Sequence, residues 1–113
     1  MATRASIIFK EEGEPMCAVY NHWDGYPEGL GKTLLEITKN TQGLYGGSLF
    51  AKIIAKLQKD PDEIVEMCPI EVVGRQGEQF IYEVDENGKI KFNEDTLLVD
   101  YLNQKSKPNK KTK

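Results

Sequence analysis

The sequence contains few of the residues on which metal and redox chemistry depend. It has two cysteines and one histidine among 113 residues. Cys17 and Cys68 lie 51 positions apart, which is not the close spacing of a zinc knuckle or a redox pair. No cysteine and histidine cluster accompanies His22, as a zinc site would need. We therefore expect no metal and no cofactor, and we expect both thiols to be reduced, buried and apolar in character.

Long apolar runs are also missing from the chain. No stretch of about 18 apolar residues could span a bilayer, and no charged-then-apolar leader marks secretion. The hydrophobic content of 39% is nevertheless too high for a disordered chain. These features predict a folded protein of the cytoplasm.

The charge is divided unevenly along the sequence. Residues 105–113 carry five lysines and no acid, whereas residues 1–104 carry 10 basic and 18 acidic residues, a net charge of −8. We predict a single domain over residues 1–104 and a flexible basic tail over residues 105–113. An acidic body repels phosphate backbones, so any nucleic-acid contact is expected through the tail alone.

Two strands and two helices are predicted in the first half of the chain. Ala5, Ile7 and Phe9 alternate with other residues, and after a turn at 11–15 the segment 16–21 resumes the alternation, which predicts an antiparallel hairpin. Helical spacing of apolar residues predicts a helix from about Pro27 to Asn40 and a second helix that Ser48 caps.

The second half of the chain is predicted to contain three more strands and a short helix. The apolar residues from Ile64 to Val73 indicate a strand, in one or two pieces around Pro69. In the last hairpin, a loop with Gly88 in the left-handed conformation is predicted, because only that register places Val84 opposite Ile90. Asn93 or Asp95 is expected to cap the final helix, which carries Leu97, Leu98, Tyr101 and Leu102.

This grouping of strands in hairpins and helices in separate runs is typical of an α+β fold. We predict an antiparallel sheet of about five strands, built from an N-terminal hairpin and a C-terminal meander. Two central helices and a short C-terminal helix are expected to pack on one face of the sheet. Homodimerisation stays open, because an edge strand of a small sheet offers unpaired backbone groups.

One segment, at the predicted junction of the second strand and the first helix, contains several side chains that can bind a ligand or take part in a reaction. Its six candidate binding residues are Tyr20, His22, Trp23, Asp24, Tyr26 and Glu28. Aromatic surfaces and an imidazole ring could bind a protein edge or a small anion there. A purely structural role, in which the aromatic rings close the end of the core and Asp24 accepts backbone hydrogen bonds, is the alternative.

The same segment carries a resemblance to known sequences. The stretch Tyr20–Gly29, preceded by the opening Thr3–Ile7, resembles a group of small uncharacterised proteins of bacteriophages, prophages and their bacterial hosts. The resemblance covers about the first 30 residues. It implies a bacterial setting, in which small acidic proteins often act by binding, including as inhibitors of host defence complexes, and it implies no reaction.

Three functions remain open on the sequence. The leading hypothesis is a non-enzymatic binding protein that engages a host or phage protein, or a small anionic ligand, through the segment from Tyr20 to Glu28. The second is a small hydrolase or transferase that uses His22 and Asp24 as acid and base. The third is a regulator whose lysine tail contacts nucleic acid.

Overall fold

A computed structural model gives the fold of the chain over residues 3–58, 64–93 and 96–106. The elements are β1 (Ala5–Glu11), β2 (Glu14–Asn21), α1 (Lys32–Asn40), α2 (Gly46–Leu57), β3 (Val65–Cys68), β4 (Phe80–Val84), β5 (Ile90–Phe92), β6 (Thr96–Leu97) and α3 (Leu98–Ser106). A π-helical turn, Pro27–Gly31, leads directly into α1, and a 3-10 turn, Ile70–Val72, follows β3. The α+β class is confirmed.

The sheet differs from the predicted one in strand number and direction. Six strands are hydrogen-bonded in the order β3-β2-β1-β4-β5-β6. β1 and β4 run parallel, with Ala5 opposite Phe80 and Phe9 opposite Val84, while the other neighbouring strands are antiparallel. The prediction of about five strands in an antiparallel sheet is therefore wrong in both details, and the sheet is mixed.

The parallel pair exists because the chain crosses the sheet between β3 and β4. β3 adds to the outer edge of β2, and residues 69–79 then pass beneath β2 and β1 to bring β4 to the far edge of β1. Such a crossover joins two strands that run in the same direction. The predicted strand Ile64–Val73 accordingly stops at Cys68, and Pro69 begins the crossover. The C-terminal meander starts only at β4.

Both predicted hairpins are confirmed, including the register of the second. In the first hairpin Ile7 pairs with Val19. In the second, Val84 pairs with Ile90, and Gly88 has a φ of 85° in the loop between them. The alternation that predicted these pairs also sets their burial, since all four paired residues are buried.

The three helices contribute to one hydrophobic core on a single face of the sheet. Its buried members come from alternate positions of the strands, from one stripe of each helix and from the π-helical turn. They are Ala5, Ile7, Phe9, Val19, Leu30, Leu34, Ile37, Leu49, Phe50, Ile53, Leu57, Tyr82, Val84, Ile90, Phe92, Leu98 and Leu102. The apolar stripes predicted for the first and second helices are confirmed.

The predicted cap Ser48 is wrong, and Asn93, one of the two residues predicted to cap the last helix, does not cap it. α2 begins at Gly46, two residues before Ser48, and its N-cap position is Tyr45. Asn93 does not cap α3, since its side-chain oxygen accepts a hydrogen bond from the N–H of Ile81 at 3.0 Å. The short strand β6 then separates Asn93 from α3, and the alternative cap Asp95 lies outside the described residues.

The two thiols lie on opposite faces of the sheet. Cys17 pairs with Phe9 on the core face, and Cys68 pairs with Ala18 on the face that carries the crossover. Both cysteines are free and partly buried, and burial raises the pKa of both thiols. The predicted tail, residues 105–113, begins in the last turn of α3, and residues 107–113 lie outside the described residues.

A partly buried carboxylate network connects the crossover to the sheet. The Glu78 carboxylate accepts hydrogen bonds from the Ser6 hydroxyl at 2.6 Å, the Gly74 N–H at 2.9 Å and the Gln76 N–H at 2.7 Å. Burial alone would raise the pKa of Glu78, but these hydrogen bonds outweigh it and lower the pKa to about 2. The ionised carboxylate therefore stabilises the folded chain above its unfolded pKa, and this contribution disappears as the pH falls through about 2.

Replacing this carboxylate should produce a pH-dependent loss of stability. We expect Glu78→Gln to lower the free energy of unfolding at pH 7 by about 1 kcal/mol, after allowance for solvent screening of a partly exposed group. The difference from the unaltered protein should be smaller at pH 3, because the stabilisation that the ionised carboxylate provides decreases as the pH falls below its unfolded pKa. Urea denaturation at both pH values measures it. Glu71→Gln, on the same crossover, is the control, and an equal loss at both pH values would contradict the assignment.

Candidate functional site

The segment that joins β2 to α1 is held against the sheet through the backbone of Gly25. The Gly25 N–H donates to the carbonyl of Thr3 at 2.8 Å, and its carbonyl accepts from the Tyr82 hydroxyl at 2.6 Å. Tyr82 is fully buried, and this burial, with a smaller effect of the charge on Glu28, raises the pKa of its phenol well above the ordinary value. The phenol therefore stays protonated and keeps its hydrogen bond to Gly25.

The backbone around Gly25 is closely packed. A Cβ atom at Gly25 would lie 2.7 Å from both the Ala5 Cβ and the Thr3 carbonyl oxygen. A Cβ at Gly29 would lie 2.7 Å from the Asp24 carbonyl oxygen, which accepts a hydrogen bond from the Leu30 N–H at 2.8 Å. Glycine is required at both positions because the backbone segments approach this closely.

Asp24 occupies a conformation that few residues other than glycine adopt. Its φ is 56°, in the left-handed region, which aspartate tolerates better than most residues. Asp24 is expected from the sequence to accept backbone hydrogen bonds in the turn; its carbonyl oxygen accepts one from the Leu30 N–H, and its side chain is exposed. The structural role and an exposed carboxylate are therefore both present at this residue.

The six candidate residues are divided among three places. Trp23, Asp24 and Glu28 line one open groove. Tyr20 and His22 pair with each other, with the Tyr20 hydroxyl 2.7 Å from Nδ1 of His22. Tyr26 is also exposed and lies beside Gly29, outside the groove. The structure thus brings three of the six residues together.

Trp23 is exposed while its backbone is fixed. The indole is 40% exposed and stands perpendicular to the half-buried His22 ring, with 4.5 Å between ring centroids. The side-chain amide of Asn21, which is buried, donates to the Trp23 carbonyl at 2.6 Å. A fixed backbone with an exposed aromatic side chain is an arrangement that suits binding.

The groove beside Trp23 has a volume of about 450 Å³ and is bounded by two helices. Besides the segment from Asn21 to Leu30, it is lined by Lys32, Thr33 and Glu36 of α1 and by Lys56 and Leu57 of α2. None of these helical residues was predicted from the sequence to belong to the site. The spacing of four positions between Glu28, Lys32 and Glu36 could have indicated a shared helix face, whereas no local signal brings Lys56 to the same place.

The acid–base pair considered in the sequence analysis is not assembled around a common space. His22 directs Nδ1 toward the hydroxyl of Tyr20, and it is not among the residues that line the groove. Asp24 lines that groove instead. The geometry therefore supplies a surface with an aromatic ring and several charges, and it does not join His22 and Asp24 by a hydrogen bond.

Within residues 3–58, 64–93 and 96–106, no group of three or more histidine, cysteine, aspartate or glutamate side chains is arranged to hold a metal ion. No helix in the same ranges is long and apolar enough to cross a membrane.

Comparison of the chain with protein family models, with characterised proteins and with solved structures finds no match.

The close packing at Gly25 should make this position intolerant of any side chain. We expect Gly25→Ala to lower the free energy of unfolding by about 2 kcal/mol, because the added methyl group would overlap Ala5 and the Thr3 carbonyl. Urea denaturation followed by the fluorescence of Trp23, the single tryptophan, measures the loss.

Gly47→Ala is the matched control, since a Cβ at Gly47 meets nothing within 4 Å and lies in the first turn of α2. This control should leave stability unchanged or raise it slightly, as alanine favours the helix. Equal stabilities of the two variants would contradict the role assigned to Gly25.

Proposed function

We propose that this chain is a non-enzymatic binding protein that engages another protein through the segment from Tyr20 to Glu28. The observation that carries the proposal is the exposure of Trp23 beside an open groove, on a backbone fixed by Asn21 and Gly25. Tryptophan and tyrosine are the residues that most often dominate the energy of protein interfaces. Tyr26, 39% exposed, supplies a second aromatic surface on the same segment.

A protein partner fits this surface better than the small anionic ligand considered above. Three carboxylates, Asp24, Glu28 and Glu36, line the groove with two lysines, Lys32 and Lys56. The surplus of negative charge opposes an anion, and residues 1–104 as a whole carry a net charge of −8, from 18 acidic and 10 basic residues. A partner that covers the exposed aromatic rings gains apolar burial, which does not depend on charge.

The resemblance of the first 30 residues to phage and prophage proteins bears on the identity of the partner. It favours a bacterial host protein or a phage protein, including a host defence complex that this chain would inhibit by binding. This inference rests on the biological context of the resembling proteins, since neither the α+β fold nor the sheet order specifies a partner.

Removal of the two exposed rings should abolish partner capture. Immobilised protein carrying Trp23→Ala and Tyr26→Ala should recover at least about thirtyfold less of the partner from a bacterial lysate than the unaltered protein does, as expected for loss of an interface hot spot worth about 2 kcal/mol. Quantitative mass spectrometry of the captured proteins measures the ratio, and circular dichroism checks that the double variant is folded.

Tyr45→Ala is the matched control, because Tyr45 is 63% exposed and lies at the start of α2, away from this segment. The proposal requires a captured protein that the control retains and the double variant loses. Recovery of the same proteins by the folded double variant would overturn it.

A further inference from the structure

The charges of the groove define the chemistry of the group that enters it. Asp24 and Glu28 lie on the same short segment as Trp23, and Glu36 lies two helical turns beyond Glu28. We propose that the groove beside Trp23 receives a basic side chain of the partner, arginine in preference to lysine. This inference rests on the proposed function and specifies the partner's surface.

The carboxylates of the groove are available to such a side chain. Across the described residues, none of the charged side chains that line the groove forms an ion pair, whereas Lys10 and Glu83 form a salt bridge elsewhere. Asp24, Glu28 and Glu36 are exposed. Each carboxylate can therefore accept hydrogen bonds from a partner without first losing an internal one.

Trp23 adds a feature that a simple acidic patch does not have. Its partly exposed indole forms part of the groove wall, so a cation entering the groove meets an aromatic ring and carboxylates together. A guanidinium group stacks on aromatic rings and forms two parallel hydrogen bonds with a carboxylate, whereas a lysine ammonium is a compact and strongly hydrated charge. This combination favours arginine.

The two lysines of the groove lie on its helical side and do not reverse the sign of its charge. Lys32 lies four positions from both Glu28 and Glu36, a spacing at which opposite charges on a helix face attract. Lys56 comes from α2. With three carboxylates against two ammonium groups, the groove stays acidic within a body that is itself acidic.

The size of the groove is compatible with this occupant. Its volume of about 450 Å³ falls within the range of ligand-binding clefts, roughly 300–1,000 Å³. The groove is open along its length, and Leu30 and Leu57 form part of its lining. Methylene groups of an arginine side chain can therefore lie on apolar surface while the guanidinium group reaches the carboxylates.

A peptide titration tests the inference without knowledge of the partner. The probe is a tetra-arginine peptide with both termini blocked, and the signal is the fluorescence of Trp23 in the full chain. We expect saturable binding that weakens as salt is added. Tetra-lysine should bind more weakly, and tetra-glutamate should not bind.

Charge-removing variants locate the binding. Glu28→Gln and Glu36→Gln should each weaken tetra-arginine binding by about two- to fivefold, the range expected for one exposed charge pair. Glu14→Gln is the control, because it removes the same charge at the opposite end of β2 from the groove. Equal effects of all three variants would show that only the general negative field attracts the peptide, and would overturn the inference.

Another result would also overturn it. Binding of tetra-glutamate as strong as that of tetra-arginine would make the groove an anion site.

Failure of this inference is distinguishable from failure of the proposed function. If tetra-arginine does not bind but the Trp23→Ala and Tyr26→Ala variant still loses its partner, the proposed binding surface is supported. The proposal that the groove receives a basic side chain is then wrong. If that double variant keeps its partner, the proposed function fails whatever the peptides do.

Discussion

The backbone of one glycine connects the candidate binding segment to the sheet. The Gly25 N–H donates to the carbonyl of Thr3, two residues before β1, and the Gly25 carbonyl accepts from Tyr82 on β4. Both groups are buried, and each would carry a desolvation penalty without its partner. Because Thr3 leads into β1, and β1 and β4 lie side by side through parallel pairing, the position of Trp23 depends on the crossover that makes this pairing.

This arrangement reconciles the two roles considered for the segment. Gly25 fixes its backbone to Thr3 and to Tyr82 of β4, and Asn21 of β2 fixes the carbonyl of Trp23. The side chains of Trp23, Asp24 and Tyr26 are exposed. Trp23 and Tyr26 remain partly exposed on that fixed backbone, so they lose little conformational freedom when a partner covers them. A structural function of the backbone and a binding function of the side chains are therefore compatible.

The hairpins and central helices were predictable because their signals are local. Alternation over a few residues identified the pairing of Val84 with Ile90, and helical spacing identified the buried stripe of α2. The caps were less predictable, since Ser48 and Asn93 are suitable capping residues by type. Other elements nearby set the actual starts of the helices, and Asn93 bonds to β4 instead.

The sequence by itself determined the two hairpins and the central helices, which of their faces are apolar, and where aromatic and titratable side chains are concentrated, but not the end of β3 or the short strand β6. Those properties depend on residues within a few positions of each other. Only the tertiary structure decided that β4 pairs in parallel with β1. It also decided that Tyr20 and His22 do not line the groove and that Lys56 does. These outcomes follow from the path of the crossover and the packing of α2 on the sheet, because strand order and helix position depend on contacts between residues far apart in the chain.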